Sequence, residues 1–205
     1  MFTYLEKIKQ YSIWQKSFSY VIEKNDSSLL PYHNTRHLLN VFNSAVEIAD
    51  SMGLDEKEII DLGVACLFHD INHSGGKLKD RENIEIALDE FLNFVQLNPN
   101  DFSTYSMTNI VNMILCTEYP QNRKPKQIVE KIIVDADLLQ AFDVDWFLFA
   151  VKGLSVERGV SISQALVDQT IFINNIKFIT EYAQNIHIDY KEQYIKELTF
   201  LKTIF

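Results

Sequence analysis

The sequence contains few residues that interrupt helices and few that cross-link a chain. Its 205 residues include six glycines, four prolines and two cysteines. Glycine and proline are the residues least compatible with a helix interior, so their scarcity favours an α-helical protein. Cys66 and Cys116 lie in apolar stretches, which fits two buried thiols better than a disulfide framework. We therefore expect a reducing, cytoplasmic environment.

The sequence also lacks a long apolar run and an excess of positive charge. No stretch approaches the roughly 18 apolar residues of a membrane-spanning helix, and Glu6, Lys7 and Lys9 interrupt the N-terminal segment where a signal peptide would be apolar. The formal net charge of -9 repels the phosphate backbone of a nucleic-acid polymer. We expect neither a membrane nor a nucleic-acid partner, and a small anionic substrate would need a bound cation.

The pattern of apolar residues is helical along most of the chain. Hydrophobic residues make up 47% of the sequence, enough for a substantial core. They recur every three or four positions in segments separated by polar turns, so an all-α fold is predicted. The predicted helices cover residues 2–24, 35–52, 55–68, 79–97, 103–117, 126–141, 144–158, 161–184 and 189–203. No repeat or linker divides the chain, which predicts one domain over residues 1–205.

Four of the five histidines form two pairs with the same spacing. His33 and His37 are one pair, and His69 and His73 are the other. Residues four apart in a helix lie on one face, one turn apart, and can approach a common centre. A single histidine is most simply a hydrogen-bonded core or surface residue. Two such pairs, with Asp70 directly after His69, favour a metal site.

Three carboxylates lie in or directly after apolar runs, namely Asp70, Asp135 and Asp137. Burying an ionised carboxylate is costly unless it is paired or coordinated. Lys131 is the only base close in sequence to the last two. A bound metal ion is the simplest partner for these acids.

Together these residues resemble a known ligand set. His37, the adjacent His69 and Asp70, and Asp137 in Ala-Asp-Leu-Leu are similar to the H…HD…D signature of the HD-domain metal-dependent phosphohydrolases. The resemblance implies that these four residues bind a divalent ion. Two imidazoles and two carboxylates suit Zn, Mn, Fe, Co or Ni, with Mg binding more weakly. Such an ion activates water and polarises a phosphoryl group.

The same resemblance implies an architecture for the chain. HD-domain proteins are compact bundles of several helices with the metal site between the central helices. The resemblance extends over about residues 30–185, which would be the core. Residues 1–29 and 186–205 would then be flanking helices.

Three further segments resemble cyclic-nucleotide phosphodiesterases. Residues 32–37, Tyr-His-Asn-Thr-Arg-His, are similar to their Tyr-His-Asn-x-x-His, and residues 69–73 are similar to their His-Asp-x-x-His. By this resemblance His33 is the general acid that protonates the leaving oxygen, a task suited to histidine near neutral pH. Gln169 and Phe172 are similar to the Gln-x-x-Phe clamp and would bind a nucleobase.

Other features favour compact bacterial phosphohydrolases of unknown substrate, which are similar in length and in the Asp-Ala-Asp-Leu run at 135–138. The substrate is therefore a small phosphate ester, most simply a nucleotide. A cyclic-nucleotide-type phosphodiesterase and a nucleotidase-type phosphomonoesterase both remain open. An alarmone hydrolase and a non-catalytic nucleotide-sensing module are further alternatives. The oligomeric state is not indicated.

The remaining candidates concern water and substrate contacts. His73 is expected to contact metal-bound water, which could bridge to a second ion at Asp70. Dinuclear HD proteins resemble one another in having two more histidines before the last aspartate. None lies between His73 and Asp137, so a second ion would be held mostly by water.

Asn34 is expected to cap a helix, to contact a base, or both. Lys77 lies in a basic loop that either contacts the substrate phosphate or is simply solvated.

Overall fold

The computed structural model describes residues 7–120, 122–143 and 145–205, and the regular secondary structure in these residues is entirely helical. The prediction of an all-α protein is confirmed. Two short 3-10 helices (Asp26–Leu29 and Leu139–Phe142) and a π-helix (Phe147–Gly153) accompany the α-helices. The α-helices are α1 (Ser12–Lys24), α2 (Thr35–Met52), α3 (Glu56–Phe68), α4 (Asp80–Leu97), α5 (Thr104–Cys116), α6 (Ile128–Leu138), α7 (Leu154–Arg158), α8 (Ile162–Asn175) and α9 (Glu181–Leu201).

Local sequence explains where the first central helices begin and end. The side-chain oxygen of Asn34 caps α2 by accepting two N–H groups of its first turn. Gly53 ends α2 in the left-handed conformation, with a φ of 68°. Asp55 and Glu58 form a capping box at the start of α3. The predicted starts of α2 and α3 are confirmed.

Helix α3 lies at the centre of the molecule and packs against α1, α2, α5 and α6. Its residues from Leu62 to Phe68 are all buried, as expected for a helix that is surrounded by other helices. A Cβ atom at Gly63 would lie 3.0 Å from the Phe42 ring and 3.3 Å from the Trp14 ring. Glycine at this position therefore allows α1 and α2 to approach α3 closely. The end of α3 carries His69 and Asp70 into the interior.

The C-terminal helices differ from the prediction. In place of helices at 161–184 and 189–203, α8 ends at Asn175 and α9 already begins at Glu181. The cause is a contact that the local sequence does not encode. The Asp135 carboxylate of α6 binds backbone N–H groups in the segment between these helices. The Thr180 hydroxyl then caps α9.

Three other predicted helices are shorter than expected. The predicted start of the helix at 2–24 lies outside the described residues, and within them the chain turns at residues 9–11 before α1 starts. The helix at 126–141 becomes α6 followed by a 3-10 helix, and the helix at 144–158 becomes the π-helix followed by α7. In the described ranges, no helix has both the length and the apolar character needed to cross a membrane.

Candidate metal centre and adjoining cavity

Four side chains from three distant segments meet in the interior. His37 belongs to the first turn of α2, His69 and Asp70 follow α3, and Asp137 lies near the end of α6. Nε2 of His37 lies 3.3 Å from Nε2 of His69. It also lies 3.1 Å from Oδ2 of Asp70 and 3.2 Å from Oδ1 of Asp137. One ligand atom from each of the four residues lies within 4.8 Å of the others.

These separations fit a single ion. Two ligands that are each about 2.1 Å from a metal lie about 3.0 Å apart at an octahedral angle and about 3.4 Å apart at a tetrahedral angle. The distances of 3.1 to 3.3 Å from Nε2 of His37 agree with both geometries. A cation between the two facing Nε2 atoms would bind the lone pair of each in place of a proton. The donor set therefore fits a divalent metal.

The carboxylates of the centre are held in their charged form. Burial alone would raise the pKa of Asp70 and Asp137. The charges and hydrogen bonds of His69 and His37 outweigh burial, so the pKa of Asp70 lies well below its usual range and that of Asp137 is about 2. Burial likewise tends to lower the pKa of His69, but the two carboxylates raise it well above its ordinary value. The centre presents two negative charges that a cation can neutralise.

The orientation of His69 is set by a backbone group. Its Nδ1 lies 2.9 Å from the carbonyl oxygen of Cys66, to which it can donate a hydrogen bond. This bond leaves the lone pair of Nε2 directed at the centre, as is usual for a metal-binding histidine. Nδ1 of His37 is buried and has no partner among the described residues.

Asp135 has a different role from the one its sequence context indicated. Its carboxylate accepts the backbone N–H of Ile179 at 3.0 Å and that of Thr180 at 2.6 Å. These peptide donors satisfy the buried charge without a metal or a basic side chain. The interpretation of Asp135 as an acid that needs a metal was therefore wrong. Of Asp135 and Asp137, only Asp137 contributes a ligand atom to the metal centre.

His33 contacts a carboxylate that the sequence analysis missed. Nδ1 of His33 lies 2.5 Å from Oε2 of Glu157 on α7. The other oxygen of Glu157 accepts the backbone N–H groups of Tyr32 and His33 at 2.6 and 2.9 Å. Burial tends to raise the pKa of Glu157, but these hydrogen bonds lower it below its usual value. No pattern in the sequence around Glu157 could have identified it, because its partner is 124 residues away.

The segment that carries Glu157 is fixed against the start of α2. The Arg36 guanidinium donates to Asp145 at 2.6 Å and lies 4.0 Å from the ring centre of Phe149. A Cβ atom at Gly153 would lie 3.2 Å from the carbonyl oxygen of Pro31. The π-helix therefore packs closely on the turn before α2, which places α7 beside His33. A π-helix is rare and is often found at a functional site.

His73 stacks on the other side of the His33 ring, with ring centroids 3.6 Å apart. Its Nδ1 accepts the backbone N–H of Gly75 at 3.1 Å, and its Nε2 lies 2.9 Å from Nδ2 of Asn83. Burial lowers the pKa of His73 to about 4, so the ring is neutral at physiological pH. Protein groups thus contact both ring nitrogens. The contact of His73 with metal-bound water, and a second ion at Asp70, stay predictions.

A cavity of about 470 Å³ opens beside the metal centre. Asp70 and Asp137 form part of its wall, and Gln169 and Phe172 of α8 form another part. Gln169 is only 7% exposed, and its Nε2 has no hydrogen-bond partner in the described residues. Phe172 packs edge-on against Tyr119, with ring centroids 5.8 Å apart. Gln169 and Phe172 therefore place an amide side chain and an aromatic ring in the wall of the cavity.

The other two predicted substrate contacts do not line the cavity. Asn34 uses its amide nitrogen to bind the carbonyl oxygens of Leu30 and Pro31, while its oxygen caps α2. Lys77 is exposed and lies outside the lining. Several charged residues that line the cavity were not predicted, because in sequence each looks like an ordinary charge at a helix end or on a helix surface. These residues are Asp80, Arg158 and Asp168.

Comparisons with known proteins agree with this geometry. The HD domain model matches residues 35–141, slightly more than half of the chain. The crystal structure of the Lin1889 protein from Listeria innocua is similar in fold, with a TM-score of 0.60, 18% identity, and coverage of 92% of this chain and 94% of that chain. No curated protein matches the sequence. The matched region includes all four residues of the metal centre, and the chain belongs to the HD domain family, whose members are generally hydrolases.

Proposed function

We propose that this protein is a metal-dependent phosphohydrolase that cleaves a phosphate ester of a nucleotide or a similar small molecule. A cyclic-nucleotide-type phosphodiester is the first candidate. The observation that carries the proposal is the convergence of His37, His69, Asp70 and Asp137 beside a cavity that His33 also lines.

The metal would be held by two imidazole nitrogens and two carboxylate oxygens. This mixed set suits Zn, Mn, Fe, Co or Ni, whereas Mg prefers oxygen ligands. A divalent ion here supplies Lewis-acid chemistry, since it makes water a stronger nucleophile near neutral pH and polarises a phosphoryl oxygen. The ion also offsets the negative charge of Asp70 and Asp137, which would otherwise repel a phosphate.

His33 supplies the proton for the leaving oxygen. Its Nδ1 is engaged by Glu157, which leaves Nε2 as the nitrogen available to the cavity. A histidine whose ring is fixed in this way can transfer a proton from Nε2 to an alkoxide as the P–O bond breaks. Glu157 and the stacked His73 ring act through His33, so they are positioning residues.

The opposite wall favours a flat, hydrogen-bonding group on the substrate. The buried Nε2 of Gln169 has no acceptor in the described residues, and an unsatisfied amide costs free energy that a bound acceptor would recover. Phe172, three residues later on α8, offers an aromatic surface to the same cavity. A nucleobase combines a flat ring with acceptor atoms, and a cavity of about 470 Å³ is within the usual range for small-molecule sites.

The proposal is tested by turnover with added Mn²⁺ or Co²⁺. The substrates are 3′,5′-cyclic nucleotides, nucleoside monophosphates and bis(p-nitrophenyl) phosphate. We expect metal-dependent hydrolysis that Asp137→Asn lowers by about 10³-fold or more. Asp89→Asn, the same change at an exposed position of α4, should leave the rate unchanged.

The outcome separates the alternatives. Hydrolysis of monophosphates alone would favour a nucleotidase-type phosphomonoesterase. Nucleotide binding in calorimetry without any turnover would favour a nucleotide-sensing module and would overturn the proposal. Equal activity in wild type and Asp137→Asn would also overturn it, because the hydrolysis would then not come from this centre.

A further inference from the structure

One arginine lines a cavity whose other charged lining residues are acidic. Among the described lining residues, Arg158 is the only lysine or arginine. Asp70 and Asp137 belong to the metal centre, but Asp80 and Asp168 also line the cavity and have no metal to neutralise them. Arg158 is therefore the one described lining residue with a permanent positive charge.

The guanidinium of Arg158 makes no hydrogen bond or ion pair with any residue in the described ranges. The neighbouring carboxylate, Glu157, is committed to His33 and to two backbone N–H groups. Arg158 is exposed. A guanidinium has five N–H donors in a planar fork that matches the oxygens of a phosphate.

The backbone of Arg158 is fixed against the loop that follows the HD pair. Arg158 is the last residue of α7, and Gly159 ends this helix in the left-handed conformation. A Cβ atom at Gly76 would lie 3.3 Å from the carbonyl oxygen of Glu157 and 3.6 Å from Cα of Arg158. With a φ of 80°, Gly76 allows this loop to pack directly on the end of α7.

Arg158 also lies close to the metal centre. It directly follows Glu157, whose carboxylate accepts the backbone N–H groups of Tyr32 and His33. The Tyr32 ring lies 4.8 Å from the His37 ring, measured between centroids. Arg158 is therefore near the end of the cavity at which a phosphoryl group would be attacked.

Building on the proposed function, we propose that Arg158 binds the phosphoryl oxygens that the metal leaves free, and that the site accepts substrates with one phosphate. A second phosphate would lie in a cavity that Asp80 and Asp168 also line, and their negative charges repel it. The proposal favours a nucleoside monophosphate or a cyclic phosphodiester over a nucleoside polyphosphate. It disfavours the alarmone alternative for the same reason.

The first experiment measures binding without turnover. Inorganic phosphate is titrated calorimetrically into the full chain loaded with one equivalent of Mn²⁺. We expect Arg158→Gln to raise the Kd about 10-fold or more, and Arg158→Lys, which keeps the charge and the aliphatic stem, to raise it less. Lys152→Gln removes an exposed charge from the same segment outside the cavity and should leave the Kd unchanged. Metal content and thermal unfolding verify that each variant is folded and loaded.

The second experiment uses steady-state hydrolysis of the best ester found. Arg158→Gln should raise KM about 10-fold with a much smaller change in kcat, because the lost contact exists before and during the reaction. A nucleoside diphosphate should inhibit no better than the corresponding monophosphate when metal is in excess. Inhibition by the diphosphate about tenfold stronger would overturn the single-phosphate part of the proposal.

These results distinguish the two proposals. If phosphate binding depends on Arg158 but no ester is hydrolysed, the proposed function fails and the role of Arg158 stands. If esters are hydrolysed and Arg158→Gln changes neither KM nor the Kd for phosphate, the role of Arg158 is overturned. A rise in KM for Lys77→Gln instead of Arg158→Gln would overturn it in the same way.

Discussion

Oε2 of Glu157 lies 2.5 Å from Nδ1 of His33, although 124 residues separate them in the chain. The contact joins the turn before α2 to the short helix α7. His33 lies before the region matched by the HD domain model, residues 35–141, and Glu157 lies after it. It determines which nitrogen of His33 is available to the cavity. The carboxylate of Glu157 therefore acts on the proposed proton transfer through His33.

Replacing Glu157 by Gln should affect substrates according to their leaving group. The amide keeps the shape but loses the charge that orients and supports the protonated His33 ring. We expect kcat to fall about 10²-fold for an ester with a ribose alkoxide leaving group, since that oxygen needs a proton. The loss should be below about 10-fold for a p-nitrophenyl ester, whose leaving group departs as a stable anion. An equal loss for both substrates would contradict a role in proton transfer.

Replacing Gln169 by Leu should separate stability from binding. The free protein is expected to become more stable by about 1 kcal/mol, because an unpaired buried amide is exchanged for an apolar group of similar size. Nucleotide affinity should fall about 10-fold, since the donor for the base is lost. Urea unfolding and calorimetric nucleotide titration measure the two effects. Stability that decreases while affinity is unchanged would show that Gln169 serves the fold alone.

Replacing Asp80 by Asn should change how stability depends on pH. Burial raises the pKa of Asp80 from 3.8 to about 6, so folding disfavours its charged form. This penalty is absent below about pH 4 and complete above about pH 6 or 7. In metal-free protein, Asp80→Asn should therefore be more stable than wild type at about pH 7.5, by about 1 kcal/mol after allowance for the partial exposure of the carboxyl. Chemical unfolding should show this advantage disappearing near pH 4.5, and an advantage that grows toward low pH would contradict the account.

Replacing Asp135 by Ala should reduce stability without removing the metal. Two backbone N–H groups, those of Ile179 and Thr180, would lose their acceptor, at a cost of about 3 kcal/mol. The site of Asp137 should be unaffected, because Asp135 takes no part in the metal centre. Urea unfolding and metal analysis on the same preparation test this pair of outcomes. Loss of metal from folded Asp135→Ala would restore the interpretation drawn from sequence.

The residues of the metal centre could be predicted because their chemistry is unusual in their surroundings. An ionisable pair such as His69 and Asp70 after an apolar helix has few explanations, and His37 and Asp137 complete a recognisable ligand set. The central helices could also be predicted, since α2 and α3 have local caps and a regular apolar pattern. Both kinds of signal are local or conform to a known motif.

The rest of the cavity depends on contacts that no local pattern encodes. Glu157 and Arg158 look like ordinary charges at the end of a helix. They reach the site because the π-helix packs on the turn before α2 and Gly76 packs on the end of α7. Asp135 was interpreted as a metal ligand because the sequence does not show that the N–H groups of residues 179 and 180 donate to its carboxylate. The same contact interrupts a helix that the apolar pattern alone would have continued.

The account depends most directly on whether one divalent ion binds to His37, His69, Asp70 and Asp137. Elemental analysis of the full chain, loaded with Mn²⁺ or Zn²⁺ and then dialysed, measures this for the wild type, His69→Ala, Asp137→Asn and the control His187→Gln. We predict about one ion per chain in the wild type and the control, and below roughly 0.2 in the other two variants. A wild-type chain without metal, or an Asp137→Asn chain that retains as much metal as the wild type, would contradict the account.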